Sequence, residues 1–98
     1  MLTYQDQLLR LARRRDFPID AAELEAMFRT LHTEVVRLVA HIKTHWHDTQ
    51  SRRELRRAFD TRAECFGRLF AASPSVAMRL AAEFNLVIPE VGHATMVG

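Results

Sequence analysis

The 98-residue sequence has little of the chemistry that interrupts helices or crosslinks chains. Three glycines and three prolines leave few places where a helix must break, so an all-α fold is the simplest interpretation. The single cysteine, Cys65, cannot form a disulfide within the chain, which fits a reducing compartment. No run approaches the ~18 apolar residues of a membrane span, and residues 1–20 lack the apolar core of a signal peptide. We therefore expect a cytoplasmic protein.

Lysine is also nearly absent, since thirteen of the fourteen basic residues are arginine. The planar guanidinium binds carboxylate and phosphate groups through paired hydrogen bonds, so this preference points to anionic partners. A GC-rich genome produces the same preference. The net charge is only +2, which argues against a strong nucleic-acid footprint. With 48% hydrophobic and 27% charged residues, we expect a single helical domain over residues 1–98, in which 92–98 form a loose tail.

The longest continuous pattern runs from Asp20 to His47 and predicts one helix. Apolar residues recur there at alternating steps of four and three, which is the heptad repeat of a helical seam. The seam comprises Leu24, Phe28, Leu31, Val35, Leu38 and Ile42. This helix offers more apolar surface than the short helices of the chain can cover. We therefore predict an antiparallel homodimer, and we expect this seam to be its interface.

The start of the long helix carries recognisable capping residues. Asp20 is the expected N-cap, and Glu23 completes a capping box. Ile19 can form a hydrophobic staple with Leu24.

Three shorter patterns complete a bundle of about four helices, because short connections make neighbouring helices antiparallel. Ser51 and Glu54 form a second capping box, and Asn85 can adopt the left-handed conformation after the last helix. The predicted helices span residues 4–15, 52–72 and 74–84, the first capped by Thr3. The third helix of the chain should bury a stripe of Leu55, Phe59, Phe66, Leu69 and Phe70.

Arg62 interrupts that stripe near its centre. Its aliphatic stem can extend past Phe59 and Phe66 so that the charge reaches water. Alternatively, the guanidinium pairs with an acid such as Glu34 on the long helix.

Four arginines crowd the first turns of the third helix, where the helix dipole disfavours positive charge. They are Arg52, Arg53, Arg56 and Arg57, and Asp60 can pair with Arg56. Because their placement opposes stability, we predict that they bind a partner, together with Trp46 and with Ile88 in the apolar strip 86–89. The alternative is a small nucleic-acid-binding protein that uses the same arginines on phosphates.

Histidine and cysteine offer weaker alternatives. His41 and His45 are four residues apart on one helical face, with His47 and Asp48 close behind, which is a spacing that zinc can use. The sequence has no HExxH motif, however, so we assign no metal or cofactor and keep a structural or metal-binding subunit as an alternative. No nucleophile motif surrounds Cys65, so we expect an inert buried thiol, no catalytic residues and no enzyme activity.

The chain resembles the TraM-type quorum-sensing antiactivators of bacterial plasmid conjugation systems. The resemblance lies in total length and in the entry Pro18-Ile19-Asp20 into a long helix that carries His32 beside Val36. A second long helical region follows, and the close is Ile88-Pro89-Glu90-Val91, with the two prolines at matching separation. The resemblance therefore covers residues 18–91.

What the resemblance implies is an all-helical, non-catalytic dimer that binds a LuxR-type transcription activator and stops it from holding promoter DNA. Two departures concern the way a partner would dock. The family has a glycine-rich connection between its long helices, whereas this chain has residues 47–50, His-Asp-Thr-Gln. The tail after Val91 also differs and is longer.

Overall fold

Four α-helices form a helical bundle in a computed structural model that describes residues 2–86. They are α1 (Tyr4–Arg13), α2 (Ala21–Thr44), α3 (Thr49–Ala72) and α4 (Pro74–Glu83). Helices α2 and α3 pack along each other as an antiparallel hairpin, α1 packs on α2, and α4 packs mainly on α3. The predicted all-α bundle is therefore confirmed. Residues 87–98, which include Ile88 and the predicted tail, lie outside the described residues.

The N-termini are set by short polar side chains. Thr3 and Asp6 form a reciprocal capping box on α1, with nitrogen–oxygen distances of 3.1 and 3.2 Å. Asp20 caps α2 by accepting from the Ala22 amide at 2.9 Å. Between Asp20 and Glu23, both in the described part of the chain, the predicted return bond of a capping box is not formed. Ile19 is 93% exposed, so the predicted staple against Leu24 is wrong.

The helix ends on both sides of the α2–α3 connection require correction. The long helix ends at Thr44 rather than His47, because the backbone of His45 leaves the helical region. Helix α3 begins three residues earlier than predicted, because Asp48 and not Ser51 is the N-cap. The Asp48 carboxylate accepts from the Ser51 amide at 3.0 Å and from the Ser51 hydroxyl at 2.8 Å. Aspartate caps a helix at least as well as serine does, so α3 begins directly after Asp48, the earlier of the two candidate caps.

The C-termini of α1 and α4 use the left-handed conformation. Asn85 has φ 55°, as predicted, and the Leu86 amide donates to the Ala81 carbonyl at 2.8 Å. After α1, Arg15 takes that conformation with φ 58°, and the Asp16 amide donates to the Leu11 carbonyl at 2.9 Å. Helix α1 therefore ends two residues before the predicted Arg15.

The core has two unequal parts. The larger cluster joins all four helices and consists of Leu8, Ala12, Leu24, Met27, Phe28, Leu31, Cys65, Leu69, Ala77 and Leu80. The smaller cluster is contributed by α2 and α3 alone and consists of Val35, Leu38 and Ala58, with Val39 and Leu55 against it. We call residues 21–34 and 59–72 the hairpin base, and residues 35–58 the hairpin tip.

The heptad seam of α2 is the core of a single chain. Five of its six residues, Leu24, Phe28, Leu31, Val35 and Leu38, are at most 5% exposed, and Ile42 is half-buried. The seam faces the chain's own α3, with α1 and α4 closing the base. This corrects the assignment of these residues to a dimer interface, because in this fold the five buried side chains have no surface left for a second copy.

The stripe predicted on α3 is rotated. The most buried positions of α3 are Ala58, Thr61, Cys65 and Leu69, whereas Phe59 of the predicted stripe is 41% exposed. The Thr61 hydroxyl donates to the Arg57 carbonyl at 2.8 Å, which allows it to be buried among apolar groups. The large aromatic residues of α3 predict the wrong centre for its buried face, because smaller side chains such as Ala58, Thr61 and Cys65 are the ones that are buried there.

Candidate functional site

The hairpin tip carries the side chains that the sequence singled out for partner binding. Arg52, Arg53, Arg56 and Arg57 project from the first two and a half turns of α3 and are all exposed. Within residues 2–86, no carboxylate lies within 4.0 Å of any of these four guanidinium groups. The predicted pair between Arg56 and Asp60 is therefore not formed.

Five arginines elsewhere in the described residues do pair with glutamates, whereas Arg10, Arg13, Arg14 and Arg62 share the unpaired state of the four arginines of α3. Arg29 forms a two-pronged bond across to Glu83 of α4, with nitrogen–oxygen distances of 2.6 and 2.9 Å. This bond raises the pKa of Arg29. The other arginines that pair with a glutamate are Arg15, Arg37, Arg68 and Arg79. The pairs of Arg15, Arg29 and Arg79 join different parts of the bundle, and those of Arg37 and Arg68 lie within one helix. Arg52, Arg53, Arg56 and Arg57 form neither kind of pair within the described residues.

The connection 45–48, which leads into α3, presents an exposed aromatic ring. The Trp46 side chain is 61% exposed, and its ring centroid lies 3.7 Å from that of His47. Between Lys43 and Arg57 the chain has five basic and two acidic residues. The tip is therefore a cationic surface with one large apolar anchor, which suits an anionic partner surface. Ile88, the remaining predicted contact, lies outside the described residues.

The histidines at the tip form a structural network. The rings of His41 and His45 stack with centroids 4.4 Å apart, and His41 Nε2 lies 2.9 Å from Asp48 Oδ2. The Ser51 amide, His41 and the Ser51 hydroxyl together lower the pKa of Asp48 to about 2. In the part of the chain that the structure describes, no three His, Cys, Asp or Glu side chains are arranged to bind a metal ion. The network instead joins the end of α2 to the start of α3.

Cys65 is fully buried in the base. Its thiol lies 3.4 Å from the Leu24 carbonyl, to which it donates, and burial raises its pKa to about 12. A thiol in this environment stays protonated at neutral pH, and the thiolate is the reactive form. The geometry of Cys65 is that of a core residue.

A groove of about 230 Å³ lies where α1 meets the hairpin. Its floor is apolar and its rim is charged; the lining residues are Leu9, Ala12, Arg13, Leu31, Glu34, Leu38, Glu54, Arg57, Ala58 and Thr61. Pockets that enclose small ligands are usually larger, roughly 300–1,000 Å³. The one hydroxyl among these residues, that of Thr61, is already bonded to a backbone carbonyl.

Sequence reasoning missed the environment of Arg62. A terminal nitrogen of its guanidinium lies 2.9 Å from Nδ1 of His32, and the guanidinium carbon lies 5.3 Å from the centroid of the Phe59 ring. The predicted contact with Phe59 is thus present, but the alternative pair with Glu34 is wrong, because Glu34 pairs with Arg37. His32 lies about two and a half turns before His41, the other histidine of α2. Only the packing of α3 reveals it as the partner of Arg62.

Comparisons with protein-family models, with curated proteins and with solved structures found no match for this chain. Among residues 2–86, no helix is both long enough and apolar enough to cross a membrane. The fold places the chain in the class of all-α helical bundles. The exposed arginines and Trp46 of the hairpin tip are the basis for a functional assignment.

Proposed function

We propose that this protein is a non-catalytic interaction module that binds a regulatory protein through the hairpin tip. The observation that carries the proposal is the cluster of four exposed arginines in the first turns of α3, which have no carboxylate partner in residues 2–86, together with the exposed Trp46 of the preceding connection. Arginine and tryptophan are the residue types most enriched among the side chains that dominate binding energy at protein interfaces. Arg52 and Arg53 also oppose the dipole of α3, so partner binding accounts for them better than stability does.

The specific form of the proposal is an antiactivator that sequesters a LuxR-type transcription activator. This part is based on the resemblance to the TraM-type proteins, which covers residues 18–91. The homodimer expected from the sequence is not part of the proposal, because the seam residues on which it depended are buried within one chain.

Direct nucleic-acid binding is the second candidate, and the same arginine cluster favours it. Guanidinium groups bind phosphates as readily as carboxylates, and Trp46 is exposed enough to stack on a base. The net charge of only +2 makes this the weaker candidate.

A gel-shift experiment separates the two candidates. The protein alone should not shift promoter DNA, and it should abolish the shift made by a purified LuxR-type activator from the same genome. Replacing Arg52, Arg53, Arg56 and Arg57 with Gln should weaken this inhibition, while circular dichroism shows an unchanged helix content, because Gln and Arg have similar helix propensity. The matched control replaces the exposed Arg10, Arg13 and Arg14 of α1 with Gln and should inhibit like the native protein.

Two outcomes would contradict the first choice. A DNA shift by the protein alone that disappears with salt and in the quadruple variant would establish nucleic-acid binding, through release of counterions from phosphates. Equal loss of inhibition in the α1 control would show that total charge, rather than the hairpin tip, decides binding.

A further inference from the structure

Arg62 is a half-buried cation without a counter-charge in the described chain. Its hydrogen-bonding partner is the imidazole of His32, which stacks on Phe84 at the end of α4 with ring centroids 4.2 Å apart. Across residues 2–86, no carboxylate lies within 4.0 Å of the Arg62 guanidinium. Burial lowers the pKa of Arg62, and no carboxylate counteracts this effect of burial. At Arg29, by contrast, the hydrogen bond to Glu83 raises the pKa.

An uncompensated charge in this position is unfavourable. Removing a cation from water costs free energy unless an opposite charge or enough hydrogen bonds replace the lost hydration. His32 accepts one hydrogen bond, whereas the guanidinium has five N–H donors. A carboxylate that approached Arg62 would supply both the charge and a second pair of acceptors.

An apolar strip extends from Arg62 toward the tip on the same side of the hairpin. Val36 is one turn beyond His32 on α2 and is 55% exposed, and Phe59 of α3 is 41% exposed. Nearer the tip, Val39 and Leu55 are half-buried against the tip cluster. The strip therefore consists of Val36, Val39, Leu55 and Phe59, and Arg62 stands at the end of it nearest α4.

We propose that this strip and Arg62 together bind an amphipathic helix of the partner protein, and that this helix supplies a carboxylate to Arg62 from within its apolar face. Side chains spaced by three and four residues on two neighbouring helices form an elongated, shallow surface, which another helix matches with the same spacing. A small carboxylic acid would leave most of the strip in water. The proposal rests on the proposed function only in taking the partner to be a protein.

The test uses two designed helical peptides of roughly 18 residues, long enough to be helical when Ala-rich. Both carry an apolar face, and they differ in one central residue of that face, which is Glu in one and Gln in the other. Titration into ¹⁵N-labelled full-length protein should shift the amide signals of Val36, Leu55, Phe59 and Arg62. The Glu peptide should bind about tenfold more tightly, as expected for a charge-assisted hydrogen bond.

Protein variants complete a double-mutant cycle. Arg62→Gln should remove the preference for the Glu peptide, whereas the control Arg10→Gln, on α1, should keep it. Phe59→Ser should weaken both peptides by the same factor, which separates the apolar contact from the charged one. If Arg62→Gln lowers the helix content, Arg62→Lys replaces it, and the preference should fall because an ammonium group lacks the planar fork.

Three results would overturn the inference. The first is equal affinity for the two peptides. The second is a set of shifted signals confined to Arg52, Arg53, Arg56 and Arg57. The third is concentration-dependent shifts at Val36 and Phe59 without any peptide, which would show a second copy of the chain as the occupant. Because designed peptides replace the activator, none of these results decides the gel-shift experiment.

Discussion

The base and the tip of the hairpin are built from the same seam but are covered differently. In the base, α1 and α4 close over the α2–α3 pair, so that Phe28, Cys65 and Leu69 are at most 1% exposed. In the tip, α2 and α3 face each other alone, and the buried cluster comprises only Val35, Leu38 and Ala58. The difference teaches that a regular heptad repeat specifies which residues meet but not how many helices protect the contact.

The two regions also differ in how most of their arginines are paired, although Arg37 of the tip pairs with Glu34 and Arg62 of the base has no carboxylate partner in residues 2–86. Around the base, Arg29 of α2 pairs with Glu83 of α4, and Arg68 pairs with Glu64 one turn away on α3. On the tip, four exposed arginines lack such partners within the described residues. A region with few buried contacts opens at a lower cost in free energy, and binding surfaces often lie in such regions. This contrast supports the proposal that the tip binds the partner while the base provides most of the stability.

The largest predicted effect contrasts two positions on α2. Leu31→Asp should abolish the cooperative fold, because Leu31 is 3% exposed and burying an unpaired carboxylate costs several kcal/mol. That is comparable with the total stability of a small domain, about 5–15 kcal/mol. The matched control is Val36→Asp, whose side chain is 55% exposed, and it should change stability by only about 0.5 kcal/mol.

Urea unfolding followed by circular dichroism measures both variants. A stably folded Leu31→Asp protein would contradict the placement of the seam in the core of one chain. Strong destabilisation by Val36→Asp would mean that another part of the chain, or a second copy, covers the strip.

The sequence predicted what depends on local pattern and failed where packing decides. The α2 seam followed from its heptad spacing, and Asn85 from its tolerance of the left-handed conformation. The start of α3 was misplaced because Asp48 and Ser51 are both good caps, and sequence alone does not rank them. The contact between Arg62 and His32 joins residues 30 apart, so it depends on the register of two helices.

The next prediction has a smaller expected effect and concerns how often the base and the tip open. In a Cys65→Ala background, Ala58→Cys places a thiol in the tip cluster at a position that is 8% exposed. Under native conditions a thiol reagent should label this cysteine at least about tenfold faster than it labels native Cys65, because the tip can separate without unfolding the base. The measurement is the rate of labelling with dithionitrobenzoate.

A second measurement, in denaturant, distinguishes local opening of the tip from unfolding of the whole protein. Native Cys65 should react only as fast as the whole protein unfolds, since its thiol is buried and its pKa is raised to about 12. In denaturant both thiols should react at the same rate. Equal labelling rates under native conditions would show that base and tip open as one unit, which would remove the energetic difference between them.

The smallest predicted effect is a pH dependence at the junction of base and tip. Burial, with a lesser contribution from Arg62, lowers the pKa of His32, so the folded state binds a proton less readily than the unfolded chain. Stability is then complete above the ordinary histidine pKa near 6.5 and falls as pH decreases from there toward the lowered pKa, below which no further loss occurs.

Unfolding free energies at pH 7.5 and 5.5 test this expectation. The carboxylates of Glu64 and Glu83 should stay ionised across this window, because their arginine partners lower their pKa values. His32→Gln keeps an acceptor for Arg62 but has no titrating ring, so the loss of stability between the two pH values should shrink in this variant. Protonated His32 can no longer accept from Arg62 and places a second cation beside it. An unchanged loss in His32→Gln would assign the pH dependence to the other histidines and would leave the junction insensitive to pH.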